Sequence, residues 1–417
     1  MTAAAPPSTP HSNASDGNAG NGSGTAHMAD VIIIGGGIAG LSAAAALAPH
    51  RRVVVVEGEA HLGHHSSGRS ATFCHYGIGN AVVRGLTSFS REFLQNPPAD
   101  FADHPLVRPK SALFIATDAM REKLDSLAND MARFSPMVDS ISPAAMHAMV
   151  PVLRCANGAP PPPGEETATI TAGIIDPSGL KLDTDAMMQG FARRIRRSGG
   201  RIATGHRVAA IHRTGQLWAI TCGNSPADSV VFTAPIIINA AGAWADDVAR
   251  MAGVRPIGLM PKRRTMIVLD PPAGMAVGDW PFVKTAIDEF YMIPDSGRLM
   301  LSPVDEVDSE PTDAQPEDYD IALAAWRAQQ YTTLPVNHIA HRWAGLRSFV
   351  ADRVPTAGFD GDAEGFFWLT GQGGYGIQTA PAMAAITHSL ITGGDWPADL
   401  TAHGVTPRHI DPQRLRG

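Results

Sequence analysis

The chain repeats one order of apolar and small residues three times. Asp30 to Ile34 is short, apolar and β-branched, and the glycine cluster Gly35, Gly36, Gly37 and Gly40 follows it before the alanine-rich Leu41 to Ala48. This predicts strand, tight turn and helix, with Pro49 and His50 ending the helix. Val53 to Val56 is a continuous valine run closed by Glu57, the pattern of a strand buried on both faces of a parallel sheet. Ile236 to Ile238, Asn239 to Gly242 and Trp244 to Ala252 repeat the order. Phe366 to Leu369, Gly371 to Gly376 and Ile377 to Leu390 repeat it again. Units spread so widely predict an α/β chain with a Rossmann-like domain assembled from discontinuous segments. We place that domain at 29–95, 170–250 and 343–405. A second, α+β substrate domain on a mixed or antiparallel sheet takes 96–169 and 251–342.

Between these units, Asp183, Thr184 and Asp185 open a helix whose apolar positions Met187, Met188, Phe191 and Ile195 share a face, and whose last turns carry four arginines. Ala99 to Pro109 and the four-proline run 160–163 read as boundaries or surface excursions. Residues 1–28 are small and polar, too poor in apolar side chains to offset the entropy of ordering, and read as a disordered tail.

Composition narrows the function. With 33 Lys and Arg against 40 Asp and Glu, the net charge is -7, so no global basic field draws nucleic acid. The three cysteines, Cys74, Cys155 and Cys222, form no CxxC pair, which argues against a disulfide framework and a structural zinc site. No apolar run is long enough to span a membrane, and no secretory signal is evident. These features predict a cytoplasmic protein, or one peripheral at a membrane.

Gly35, Gly37 and Gly40 fit G-x-G-x-x-G in its full strand-turn-helix setting. Gly35 permits the tight turn, Gly37 lets a pyrophosphate approach the backbone, and Gly40 lets helix and strand pack closely. The amides at the helix start, Ile38 and Ala39 among them, face the phosphates. Glu57 ends the next strand, placed to accept the ribose hydroxyls of an adenosine. The motif alone does not separate FAD from NAD. Gly63 to Ala71 then forms a polar loop in which Ser66, Ser67, Gly68, Arg69, Ser70 and Ala71 offer hydroxyls, amides and a charge to a pyrophosphate and flavin. His61, His64 and His65 lack a nearby carboxylate or thiolate in sequence, so no metal is expected.

Taken together, the stretches Ser66 to Ala71, Asn239 to Trp244, Pro261 to Arg264, Trp343 to Val350 and Gln372 to Gln378 resemble the FAD-dependent D-amino acid oxidase and glycine oxidase superfamily, most closely the bacterial D-arginine dehydrogenases. The resemblance implies non-covalent FAD, since no cysteine lies beyond Cys222. It places Val208 by its backbone at the adenine, and Ala241, Gly242 and Trp244 along the cofactor. Gly345, Gly373, Gly374, Tyr375, Gly376 and Ile377 fall close to the flavin. It further implies that Tyr291 and Arg347 hold a substrate carboxylate, with Arg264 in the pocket and Gln372 as a hydrogen-bond partner.

The match departs at three points. The family's active-site histidine and tyrosine fall on Phe73 and Ile78, and the acid that meets a substrate guanidinium falls on Ala112. His75 and Tyr76 stand in the same loop as candidate replacements. The expectation is therefore a D-amino acid with an apolar or small side chain, oxidised by hydride transfer to flavin N5, with oxygen or a quinone as acceptor. Secondary amines and 2-hydroxy acids would use the same clamp, and a flavin-binding subunit without catalysis is the reading of another class.

Overall fold

In the computed structural model, residues 27–156, 167–223 and 229–416 are described. The four-proline run 160–163 and residues 1–26 of the expected tail lie outside them. His27 and Met28, also assigned to the tail, instead form a short strand in parallel register with Phe232 and Thr233.

The apolar runs found in sequence meet in one six-stranded sheet. Its order is Arg201–Ala203, Val53–Val56, Val31–Ile34, Ile236–Asn239, Phe366–Thr370 and Thr356–Phe359, and all neighbours are parallel except the last pair. Val31 to Ile34 and Val53 to Val56 are buried at every position, because Ile38–Leu47 and the long helix Gly376–Thr392 cover one face and a small four-stranded sheet the other. Each fully buried Val or Ile contributes roughly 1.5–3 kcal/mol. The expected helix after Asp183 spans Thr184–Arg197, with the Asp183 carboxylate accepting the Ala186 amide at 2.8 Å. Its arginines tie down a loop: Arg193 donates to the Phe101 carbonyl and Arg197 to Asp100.

The second sheet has nine strands of mixed direction. Met260–Leu269, Phe282–Thr285, Tyr291–Asp295, Arg298–Ser302 and Ala112–Ala116 lie within it. Two strands expected with the cofactor domain pair here instead. Ala172–Asp176 runs antiparallel to Ala112–Ala116, and His341–Phe349 runs antiparallel along Met260–Leu269. Their reason is visible in the partners, since each supplies backbone hydrogen bonds that an interior strand would otherwise lack. Through His341–Phe349 the large sheet reaches the glycine-rich turn 371–376, where Gly373 donates its amide to the Ser348 carbonyl. No described helix is long and apolar enough to cross a membrane.

Candidate active site

Three adjoining cavities form one trough across the ends of the parallel strands. The first is lined by Gly35, Gly37, Glu57, Ser66, Ser67, Val208, Ala241, Gly242 and Trp244. The second continues from Gly37, Ile38 and Ala39 past Ser66 to Ala71 and on to Gly345, Gln372, Gly373, Gly374, Gly376 and Ile377. Both share Gly37, Ser66, Ser67 and Gly242. The third opens beyond Ser70 and Gly374, and Arg264, Tyr291 and Arg347 belong to its wall and to that of the second. Residues far apart in sequence thus line a single elongated space, an end that carries the Glu57 carboxylate leading to a cationic one.

The backbone explains the glycines. Gly35 has φ +113°, and a Cβ at Gly40 would meet the Gly35 carbonyl oxygen at 2.0 Å, so both are packing requirements. Gly37 ends the strand turn and caps Ile38–Leu47 with no side-chain hydrogen bond, while the Ile38 amide donates to Ser67 Oγ at 3.0 Å. That leaves a helix start facing the trough. Gly68 lines no part of it; its amide donates to the Gly63 carbonyl at 2.8 Å and closes the loop. Glu57 lines the first cavity, with its oxygens accepting the Gly36 amide at 2.6 Å and the Glu59 amide at 2.8 Å. Each oxygen retains a lone pair for a ribose hydroxyl.

Some expected roles change. Arg69 lines the trough, but its guanidinium donates to the Ala314 and Ala344 carbonyls at 2.9 and 3.0 Å and pairs with Asp313. Its charge is therefore committed to pinning the loop rather than free for a phosphate. Tyr76 is turned away from the trough. Phe73 and His75 point to the cavity side and Cys74 and Tyr76 to the other, the alternation of extended chain, and Tyr76 accepts a hydrogen bond from Ser88 at 3.2 Å while stacking on Phe134. Tyr375 lines the outer cavity, with its hydroxyl donating to the Arg353 carbonyl. Ala112 is fully buried in register with Phe282 and Asp176, and stands apart from the cavity lining. Glu59 corrects the histidine reading, because the fold brings its carboxylate to His64 and His65. Glu59 Oε1 is also held by Arg207 at 2.7 Å, so the group is a charge-paired wall of the trough.

The cationic end has distinct electrostatics. Arg264 is buried, donates from Nε to the Asp305 carbonyl at 2.6 Å, and lies 3.3 Å from Glu306. Burial, then the nearby charge of Arg347, pushes it down to about 10. Glu306 is also gripped by both Arg353 nitrogens, at 2.7 and 3.0 Å. Among the described residues no carboxylate pairs with Arg347, which lies against Gly374. Among the described residues the hydroxyl of Tyr291 donates to Met266 Sδ alone, at 2.9 Å, a weak acceptor that a stronger anion outcompetes. His75 is buried among Phe73, Phe114 and Phe282, and burial followed by the Lys284 and Arg347 charges holds it well below the usual histidine range. It is a neutral ring at neutral pH. Its Nδ1 and Gln372 Nε2 are buried without a hydrogen-bond partner, as expected of groups that await a ligand or water.

Sequence reasoning missed Phe282, Lys284, Glu306, Phe349 and Arg353 in the outer cavity. Lys284 alone left a signal, a lysine inside the fully buried Phe282–Thr285 strand. The others are ordinary strand and loop residues until the sheet brings them together.

A parallel sheet of this topology, with a glycine turn and a trough at its strand ends, defines a dinucleotide-binding fold. The chain belongs to the family described as DAO, FAD dependent oxidoreductase, which matches residues 30–390. It is 24% identical over 434 residues to FAD-dependent oxidoreductase domain-containing protein 1 of Bos taurus, covering 89% of this chain and 83% of that one. The fold is similar to L-proline dehydrogenase from P. horikoshii (TM-score 0.77, 19% identity, 94% and 98% of the two chains). It is likewise similar to glycine oxidase from Geobacillus kaustophilus (TM-score 0.71, 18% identity, 91% and 99%). The cofactor is FAD, and the trough fits it: Gly37, with no side chain, stands at the N-cap of a helix whose first residues Ile38 and Ala39 line the trough.

Proposed function

We propose that this oxidoreductase takes hydride from the carbon bearing the amino group of a small carboxylated amine, with D-amino acids the first choice and basic side chains disfavoured. The observation that carries the reading is Arg347, a guanidinium without a carboxylate partner among the described residues, beside Tyr291 and the Gly373–Gly376 turn. A planar guanidinium binds a carboxylate through two charge-assisted hydrogen bonds and so fixes the adjacent carbon. Tyr291 exchanges its thioether contact for the same carboxylate. Arg264, held by Asp305 and Glu306, supplies positive potential rather than the main grip.

When bound along the trough by the Gly35–Gly40 turn, Glu57 and the 66–71 loop, FAD would supply the hydride acceptor. The chain's part is orientation, which lowers the entropic barrier, and an electropositive wall that favours the neutral amine from which hydride leaves. The ammonium proton passes to solvent. The substrate imine would then take up water and yield a 2-oxo acid and ammonia, with oxygen or a quinone as the class of terminal two-electron acceptor. Gln372 Nε2, buried and unpartnered on the wall of the second cavity, supports a role as hydrogen-bond donor to the substrate. The cavity cations that attract a carboxylate repel a basic side chain, which argues against D-arginine and D-lysine. None of the three cysteines lines the trough, which supports non-covalent binding.

A panel of amino acids and secondary amines, added anaerobically to the flavin-loaded protein, tests the reading. Bleaching by at least one D-amino acid is expected, and Arg347→Met should lower kcat/KM about 100-fold or more, as the loss of a charge-assisted pair implies. Protein that takes up no FAD, or flavin that no amine or hydroxy acid bleaches, overturns it.

A further inference from the structure

The outer cavity holds a further buried cation, Lys284, whose counter-ion is mostly exposed to solvent. Lys284 sits in Phe282–Thr285 directly opposite Tyr291 in register, so the two side chains stand as cross-strand neighbours on the cavity face. It is only 7% exposed, in a cavity wall that also includes Phe282 and His75. An ammonium in such a wall is unfavourable unless it is paired and hydrogen-bonded. Its partners are the Gly77 carbonyl at 3.2 Å and Asp288. The Asp288 side chain is 66% exposed, and its backbone is held at φ +58°, in the left-handed region. A carboxylate that remains mostly in water is a weak, displaceable counter-ion.

The remaining charges sharpen the contrast. Glu306 is occupied by Arg353 and Arg264, and Asp352 by Arg414 at 2.7 Å. Once a first carboxylate has joined Arg347, Lys284 is the cavity cation whose neutralising group stands in solvent. It is adjacent to Tyr291, and therefore within the span of a short molecule already held by that tyrosine.

Resting on the function proposed above, we propose that Lys284 determines specificity by receiving a second acid group of the substrate in place of Asp288, so that the preferred substrate is a short amino or imino dicarboxylate. This narrows the small side chain expected from sequence to a small acidic one. Phe73, Ile78 and Phe282 enclose the carbons between the two acids, and the cations carry the recognition.

The decisive comparison uses acid and amide partners of equal shape on the flavin-loaded protein: aspartate against asparagine and glutamate against glutamine, in both enantiomers, with iminodiacetate added. At least one acid should exceed its amide tenfold or more in kcat/KM. Lys284→Met should shrink that ratio at least tenfold, and Lys284→Arg should restore part of it. Flavin content and absorbance of each variant report whether the fold and cofactor site survive. Amides that serve as well as acids in the unaltered protein overturn the inference while leaving the proposed oxidation intact, and so does an acid preference that Lys284→Met leaves untouched. Failure of every amine and hydroxy acid to bleach the flavin overturns both.

Discussion

The guanidinium of Arg347 passes over Gly374 so closely that a Cβ on that glycine would lie 2.8 Å from Nη1 and 3.0 Å from Cζ. The side chain proposed to grip a carboxylate and the glycine turn beside it are thus fitted to each other. Gly374→Ala is expected to push the guanidinium off its position and lower kcat/KM at least tenfold, an order of magnitude that corresponds to about 1.4 kcal/mol. Steady-state kinetics on the best substrate, with flavin content as control, checks it; unchanged kcat/KM would show that the contact does not set the geometry.

Gly40 presents a harder limit. Its Cβ would fall 2.0 Å from the Gly35 carbonyl oxygen, a backbone atom that cannot swing aside. Gly40→Ala should destabilise the protein by about 3 kcal/mol or more, in the range of severe packing and strain lesions. Thermal unfolding of the variant should show a lower Tm and weaker flavin retention. A normal Tm would mean that helix and strand are more loosely packed than this contact implies.

Glu57 links the glycine turn to the adenosine end through the Gly36 and Glu59 amides. Replacing it by Gln removes the charge that strengthens those bonds and any to the ribose, so FAD affinity should fall by about 10-fold to 100-fold, the effect of losing a charge-assisted hydrogen bond of about 1.5–3 kcal/mol. Titration of the flavin-free protein with FAD measures this directly, and an unchanged Kd counts against a ribose role.

His75 is neutral in the folded protein because burial, with Lys284 and Arg347 nearby, opposes its protonation. In the unfolded chain it takes a proton near the ordinary value of about 6.5. Below that pH the unfolded state binds more protons, so acidification costs stability until the depressed folded value is reached, at up to about 1.4 kcal/mol per pH unit. His75→Phe should lose less stability than the unaltered protein between about pH 7 and pH 5. Parallel denaturation midpoints for the two proteins would sink this reading.

Much of this was legible before the fold was known. The Val31–Ile34 and Val53–Val56 strands, the glycine turn, the Asp183 cap and the three strand-turn-helix units each carry a local signature of period, propensity or backbone freedom. Tyr76 and Arg69 were misread because their roles depend on which side of the extended chain faces the trough and on what else competes for the guanidinium. Neither question has a local answer.

The sequence by itself determined the nucleotide-binding turn and the apolar parallel strands, because steric limits on φ and the burial of β-branched residues act within a few positions of the chain. Only the tertiary structure decided the charge of the outer cavity. Arg264, Lys284 and Arg347 lie on three different strands, and Asp305, Glu306 and Asp288 on the loops between. Which cation is neutralised and which is left for a substrate follows from distances across the sheet, and Coulomb energy depends on those distances, whatever the separation along the chain.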